Sequence, residues 1–300
     1  MVSTTRRCLP IAWMLALALT LTGCMSWTRG WETETRLDTV RASLDLDAEF
    51  ASARSSFLEA DDAAKLAQVR SALHRLVAQA PSDQRLLLLT AQVEILHGAA
   101  YDESRATKAS SYRRGIQLAE RAMAEDPGFA ERIAGGASLA EAASTLGAED
   151  AEAMLLWVTG VSYYFKECLS GLGHVVNLRW ARQTAEITSH LMNVAPELEH
   201  GAVPFSLGIY FVALPGSAGG DIARAGELLE VAVAQSGSSL LPRWGRAKYY
   251  WSKLGDKKRF RDDLEWVLAQ NPRSAASPYP WNVYFQRDAR RMLERIDRSF

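Results

Sequence analysis

Residues 176–196, VNLRWARQTAEITSHLMNVAP, decide the fold class. Val176, Trp180, Ile187, Leu191 and Val194 fall on one face of a helix with 3.6 residues per turn, and Pro196 stops that helix. The same spacing recurs on both sides. Leu66, Val69, Leu73, Leu76 and Val77 keep it upstream, and Ile116, Ala119, Ala122 and Met123 keep it more loosely. Downstream it returns in Ile222, Ala225, Leu229 and Ala232, then in Phe260, Leu264, Val267 and Leu268. Phe285, Ala289, Met292, Leu293, Ile296 and Phe300 close the chain. No stretch alternates as a sheet face must, so the fold class is all-α.

Helix endings repeat as well. Five segments run through small or apolar residues into a stop, at Pro81, Pro127, Pro196, Gly237 and Pro272. The stops lie 46, 69, 41 and 35 residues apart. A tetratricopeptide repeat has about 34 residues and ends its second helix at proline. One interval is therefore close to a unit, one is about two units, and two carry insertions. Apolar first helices are expected between the stops, at Arg85 to His97, Met154 to Cys168, Val203 to Leu214 and Arg243 to Leu254. Gly160 with Tyr163, Leu207-Gly208 with Phe211 and Ala247 with Tyr250 echo the small-then-aromatic element of such a repeat. The expectation is a set of degenerate tetratricopeptide-like hairpins, arranged as a solenoid or a closed helical bundle.

The N-terminus reads as a targeting segment. Arg6 and Arg7 precede an apolar run from Ile11 to Leu21, which is shorter than the roughly 20 residues of a membrane span. It leads into Leu21-Thr22-Gly23-Cys24, a lipobox in which only a cysteine thiol can take a diacylglyceryl group as a thioether. The expected organisation is a lipoprotein signal peptide over 1–23, a lipidated Cys24 with a tether over 24–45, and one helical domain over 46–300. The covalent lipid on Cys24 is the only prosthetic group expected. Met25 stands where inner-membrane retention favours Asp, which points to the periplasmic face of an outer membrane. Trp27 and Trp31 suit either the bilayer interface or packing on the domain.

Composition excludes several classes. Removal of 23 residues from 300 leaves 277, and loss of Arg6 and Arg7 with no acid takes the net charge from −1 to −3. No basic face for nucleic acid is implied. Cys8 leaves with the signal and Cys24 carries lipid, so Cys168 has no intramolecular disulfide partner and reads as a small hydrophobe. His74, His97, His174, His190 and His200 nowhere stand three or four apart, so no zinc-binding helix is indicated. Gly160-Val161-Ser162-Tyr163-Tyr164 lacks the second glycine of a nucleophile elbow. The pairs Asp61-Asp62, Glu149-Asp150 and Asp262-Asp263 read as solvated charges at helix starts or on polar faces. Asp221, after Gly219-Gly220, suits an N-cap, and Ser138 with Glu141 has capping-box spacing. Catalysis is not expected.

The last 150 residues carry a more specific pattern. It runs from Trp157 to Phe165, through Pro204-Phe205-Ser206-Leu207-Gly208-Ile209-Tyr210-Phe211-Val212-Ala213-Leu214-Pro215, then Gly219-Gly220-Asp221, Ala225 and Tyr249-Tyr250. It ends in Asn282, Ala289, Leu293, Ile296 and Phe300. This resembles the T-component (TatT) family associated with tripartite ATP-independent periplasmic (TRAP) transporters. The resemblance implies a periplasmic lipoprotein of degenerate hairpins with a channel or pocket between the helices, partnered with the transporter's solute-binding subunit. It also implies association as a homotrimer. The segment Ala134 to Asp150 departs from the family pattern as an insertion.

Aromatic side chains gather on the first helices. Trp157, Tyr163, Tyr164, Phe205, Tyr210, Phe211 and Tyr250 are the candidate ligand or partner surface, with Tyr164 and Phe211 as first choices for substitution. Neighbours on a helix point about 100° apart, so one of each adjacent pair must leave the hairpin seam. Two functions compete: an accessory lipoprotein that docks a solute-binding protein and passes a hydrophobic solute, and a general envelope scaffold for other proteins. A cavity within the domain favours the first, and an open superhelix favours the second.

Overall fold

The computed structural model describes residues 25–32 and 45–300, and among them helices follow one another with no strand. The first hairpin pairs α1 (Leu46–Leu58) with α2 (Ala63–Gln79), and the second pairs α3 (Gln84–Ala100) with α4 (Arg105–Ala124). Short helices α5 (Pro127–Ala134) and α6 (Leu139–Ala143) follow. The third hairpin is α7 (Ala151–Cys168), a short α8 (Leu172–Val176) and α9 (Leu178–Val194). The fourth is α10 (Ala202–Ala213) with α11 (Ile222–Gln235). In the fifth, α12 spans residues 241–254 and is π-helical over Arg246–Trp251, and it packs on α13 (Lys257–Ala269). Helices α14 (Tyr279–Glu294) and α15 (Ile296–Ser299) end the chain.

Each stop in the sequence falls just past the second helix of a hairpin, because proline or a turn residue there denies the next helical hydrogen bond. Helix starts are set by side-chain caps. Asp62, Asp83, Ser104, Asp126, Asp221 and Asp256 each accept backbone N–H groups of the following first turn. Ser138 and Glu141 form a reciprocal capping box, as their spacing predicts. The insertion is part of the core: Leu139, Ala142, Ala143 and Leu146 are buried, and His190 on α9 hydrogen-bonds the Leu146 carbonyl at 2.8 Å.

The array closes on itself. From α14, Arg287 donates to the Ala100 carbonyl at the end of α3 (2.6 Å) and stacks its guanidinium over Tyr101. Just before α14, Arg273 pairs with Glu59 at 2.8 Å, and the Tyr279 hydroxyl meets Asp61 at 3.4 Å. The last long helix thus returns to the first hairpin. Of the two arrangements expected from sequence, the closed bundle is the one formed.

Two buried carboxylates lock neighbouring hairpins. Glu94 on α3 is fully buried and takes Arg70 (2.7 Å) and His74 (2.5 Å) from α2 and Arg114 (3.1 Å) from α4. Burial would raise its pKa, but the hydrogen bonds from His74 and Arg70 and the two guanidinium charges outweigh that and hold it at about 2. Asp263 on α13 corrects the reading of Asp262-Asp263 as a solvated pair. Asp262 is exposed, whereas Asp263 is buried and binds Arg246 through two nitrogens at 2.8 Å each, Arg243 at 3.1 Å and the Trp251 indole at 2.9 Å. The helical turn puts Asp263 on the Phe260, Leu264 and Val267 face, where only a paired carboxylate is tolerated.

The expected tether begins as a docked segment. Met25 is fully buried, its amide donates to Asn177 Oδ1 (2.6 Å), and its carbonyl accepts from Trp180 Nε1 (3.2 Å). Trp27 stacks on Trp180 at 4.5 Å between centroids, and Trp31 meets Phe129 edge-on at 5.8 Å. Arg29 lies over Trp27, Trp31 and Trp180 and pairs with buried Glu120 at 2.9 Å. Glu120 also accepts from the Gly30 amide and from the indoles of Trp27 and Trp157. Both tryptophans therefore pack on the domain and not at a bilayer interface. Burying Met25 alone is worth roughly 1.5–3 kcal/mol, so this is an attached strap. Cys24, the signal segment and residues 33–44 lie outside the described residues.

Candidate functional site: a cavity inside the helical ring

Inside the ring of helices lies a cavity of about 1000 Å³, open to solvent on one side. Its walls come from α3, α7, α9, α10, α12 and α14, with α8 at one edge. Helix α7 supplies one continuous strip: Glu152, Leu155, Leu156, Thr159, Ser162, Tyr163 and Lys166 repeat at steps of three and four residues and all face the space. Opposite them stand Phe205, Ile209, Tyr210 and Val212 of α10, Trp244 and Tyr249 of α12, and Trp281 and Phe285 of α14. The lining is apolar and aromatic over most of its extent, which is the make-up of a small-molecule site.

Glycine shapes the wall at one close approach. A Cβ on Gly245 would sit 2.2 Å from the Phe205 ring, so glycine there lets that ring lie against α12. On α12, the π-helical stretch Arg246–Trp251 rotates Tyr249 toward the cavity and Tyr250 toward α11, where its hydroxyl packs against Gly226.

Of the seven aromatic candidates, Tyr163, Phe205 and Tyr210 line the cavity. The other four face elsewhere. Trp157 is fully buried with its indole on Glu120, and Tyr164 turns outward to Trp27 at 6.2 Å. Phe211 lies under the Arg224 guanidinium at 4.7 Å, and Tyr250 sits in the α10–α11 core. Tyr164 and Phe211, the first choices for substitution, are thus both off the cavity. Residues that sequence reasoning missed include Lys166, Lys248, Trp244, Trp281 and Phe285. Their signal lay in the α7 and α12 faces: Lys166 continues the Leu155, Thr159 and Ser162 row.

Charge is distributed unevenly along the cavity. Near the α7 N-terminus, Glu152 is pushed up by burial and by the neighbouring Glu199 carboxylate. Glu199 and His200 hold left-handed backbone at φ 49° and 53°, ahead of Gly201 at 86°, in the tight turn that starts α10. At the other end are two lysines. Lys248 pairs with Asp288 at 2.8 Å, while Lys166 has its nitrogen 3.3 Å from the centre of the Tyr249 ring. Cys168, half-buried just beyond, has its thiol pushed up to about 11 by burial and by Glu167, in keeping with an inert packing residue.

Helical hairpins ringed around a mostly apolar cavity define an all-helical scaffold. Residues 71–300 match the model of the family described as TRAP transporter T-component, and the chain belongs to that family. It is an accessory component of a TRAP-type transporter. No curated protein matches the chain.

Proposed function

We propose that this protein is a non-catalytic, lipid-anchored periplasmic accessory component that docks the solute-binding subunit of its transporter and holds a hydrophobic solute in the ring cavity. The observation that carries the reading is the return of the chain's last helices to the first two hairpins around a mostly apolar space of about 1000 Å³. A general scaffold needs an extended concave face for partners, whereas a deep, mostly apolar cavity inside a ring of helices suits a small apolar solute.

The anchor follows from the chain before Met25. Consecutive Cα atoms are about 3.8 Å apart, so a lipid on Cys24 would enter the bilayer directly beside the docked Met25. Asn177, which holds the Met25 amide, directly follows α8, whose Leu172, Val175 and Val176 are 81%, 62% and 46% exposed. Val175 and His174 of α8 also line the cavity. In this reading α8 rests on the outer-membrane inner leaflet, and the edge of the cavity lies next to the lipid. Several acyl chains on one residue hold such a body durably, and the α8 side chains add orientation.

The docking part is tested by capture from detergent-solubilised membranes with the lipidated full chain as bait, followed by mass spectrometry. The expected result is recovery of a TRAP solute-binding subunit. Recovery of envelope-assembly proteins alone would move the function to the scaffold reading. The trimer that the family resemblance implies is read in the same preparation by sedimentation.

A further inference from the structure

Among the described residues, Lys166 lines the cavity without a carboxylate bound to it. Its charged neighbours are paired: Lys248 with Asp288 (2.8 Å), and Glu167 with Lys108 (2.6 Å) and the Tyr112 hydroxyl (2.7 Å). Lys166 has neither a hydrogen-bond nor an ion-pair partner among the described residues; its ammonium rests on the Tyr249 ring. It lines the cavity with its side chain exposed, the Tyr249 ring beneath its ammonium. Burial and then the Lys248 charge pull its pKa down to about 7, opposed by Glu167 and Asp288. An exposed ammonium on an otherwise apolar wall, with no carboxylate bound to it, is a place for an anion.

The rest of the cavity says what that anion is attached to. Glu152 and Lys166 are 14 residues apart on one helix, which is about 21 Å at 1.5 Å per residue. Between them the α7 strip is Leu155, Leu156, Thr159, Ser162 and Tyr163. The two ends are opposite in charge, since Glu199 joins Glu152 at the far end and an anion there would be repelled. The Lys166 end is also the α8 end, where His174 bonds the Phe165 carbonyl at 3.0 Å.

We propose that the cavity takes a single-chain amphiphile with an anionic head, its head on Lys166 beside α8 and its alkyl chain along the Leu155–Thr159 face toward Glu152. This rests on the reading of the cavity as a hydrophobic-solute site and names the class of that solute. The side-chain charges facing Lys166 are those of Lys248 on α12, Asp288 on α14 and Glu167 on its own helix, with Tyr163 and Tyr249 as uncharged neighbours.

The test uses the full-length protein and three probes: cis-parinaric acid, its displacement by palmitate or by hexadecanol, and the uncharged dye N-phenyl-1-naphthylamine. Palmitate is expected to displace the fluorescent acid at concentrations at least about tenfold below hexadecanol. Lys166→Met is expected to weaken palmitate about tenfold or more while leaving hexadecanol and the dye within about twofold; Lys166→Arg keeps palmitate binding. Because Lys166 is charged below its pKa of about 7 and neutral above it, palmitate binding to the native protein weakens from pH 6 to pH 9. That slope disappears in Lys166→Met and flattens in Lys166→Arg. Equal affinity for acid and alcohol, or unchanged palmitate affinity in Lys166→Met, overturns the inference while leaving the hydrophobic-solute reading intact. Failure of the dye, the acid and the alcohol alike to bind overturns that reading and the inference with it.

Discussion

Thr159→Trp is expected to abolish binding of N-phenyl-1-naphthylamine to the full chain, with a loss of at least about tenfold in affinity and no loss of helicity. Thr159 stands midway along the α7 strip and faces the cavity. Its hydroxyl bonds only to the Leu155 carbonyl of its own helix at 2.8 Å, a group that the helix already satisfies. Removing the hydroxyl therefore orphans no partner, and the indole enters empty space instead of packed core. A tenfold loss corresponds to about 1.4 kcal/mol, which a single displaced apolar contact surface of ligand readily exceeds. Fluorescence titration reads the affinity and circular dichroism reads the fold. Full-strength binding to a folded Thr159→Trp protein would place the dye outside the ring.

The second large effect concerns the anchor. If residues 1–24 are replaced by a signal cleaved before Met25, the protein is expected to move from the membrane to the soluble periplasmic fraction almost completely. The three exposed side chains of α8 cannot hold it alone, because even one myristoyl chain gives only marginal, reversible attachment. The docked strap also predicts how the native protein lies. In a Cys168→Ala background reconstituted in vesicles, a fluorophore at Val175→Cys is expected to be quenched by nitroxide-bearing lipids. A fluorophore at Arg54→Cys is not: Arg54 faces Glu152, about 21 Å along α7 from the α8 end. Retention of the replaced-signal protein on membranes would remove Cys24 as the anchor. Release of that protein with an unquenched Val175 label would keep the anchor and reject the orientation.

How far the sequence carries the structure depends on the range of the interaction. Caps and stops are local, so Asp221, the Ser138–Glu141 box and the five helix ends are where residue spacing puts them. Ring closure is not local. It depends on Arg273 with Glu59 and Tyr279 with Asp61, pairs more than 200 positions apart that periodicity cannot report. The aromatic candidates divide in an instructive way. In Tyr163-Tyr164, Tyr210-Phe211 and Tyr249-Tyr250, one ring of each pair faces the cavity and the other leaves it. Spacing fixes that split but not which member points inward, since that depends on the phase of each helix against its neighbours. On α12 the π-helical turn shifts the phase again.

Lys166 and Asp263 were hidden for a related reason. Each sits next to another charged residue, Glu167 or Asp262, and a charge pair in a helical stretch reads as solvent-facing. Rotation by one position separates them: Glu167 joins Lys108 and Tyr112 while Lys166 enters the cavity, and Asp262 stays outside while Asp263 takes Arg246. Residues 25–32 were unreadable because a short, tryptophan-rich strap has no period, and its partners Glu120, Asn177 and Trp180 lie about 90 to 155 positions away.

The measurement that bears most directly on the central claim is mass spectrometry of the solvent extract of the native lipoprotein, purified from its own membranes beside Thr159→Trp. The account predicts one apolar or amphiphilic molecule per chain in the native extract and its absence from the Thr159→Trp extract. The same bulk lipids in both extracts, with no stoichiometric species in the native one, would contradict the assignment of the ring cavity as a solute compartment.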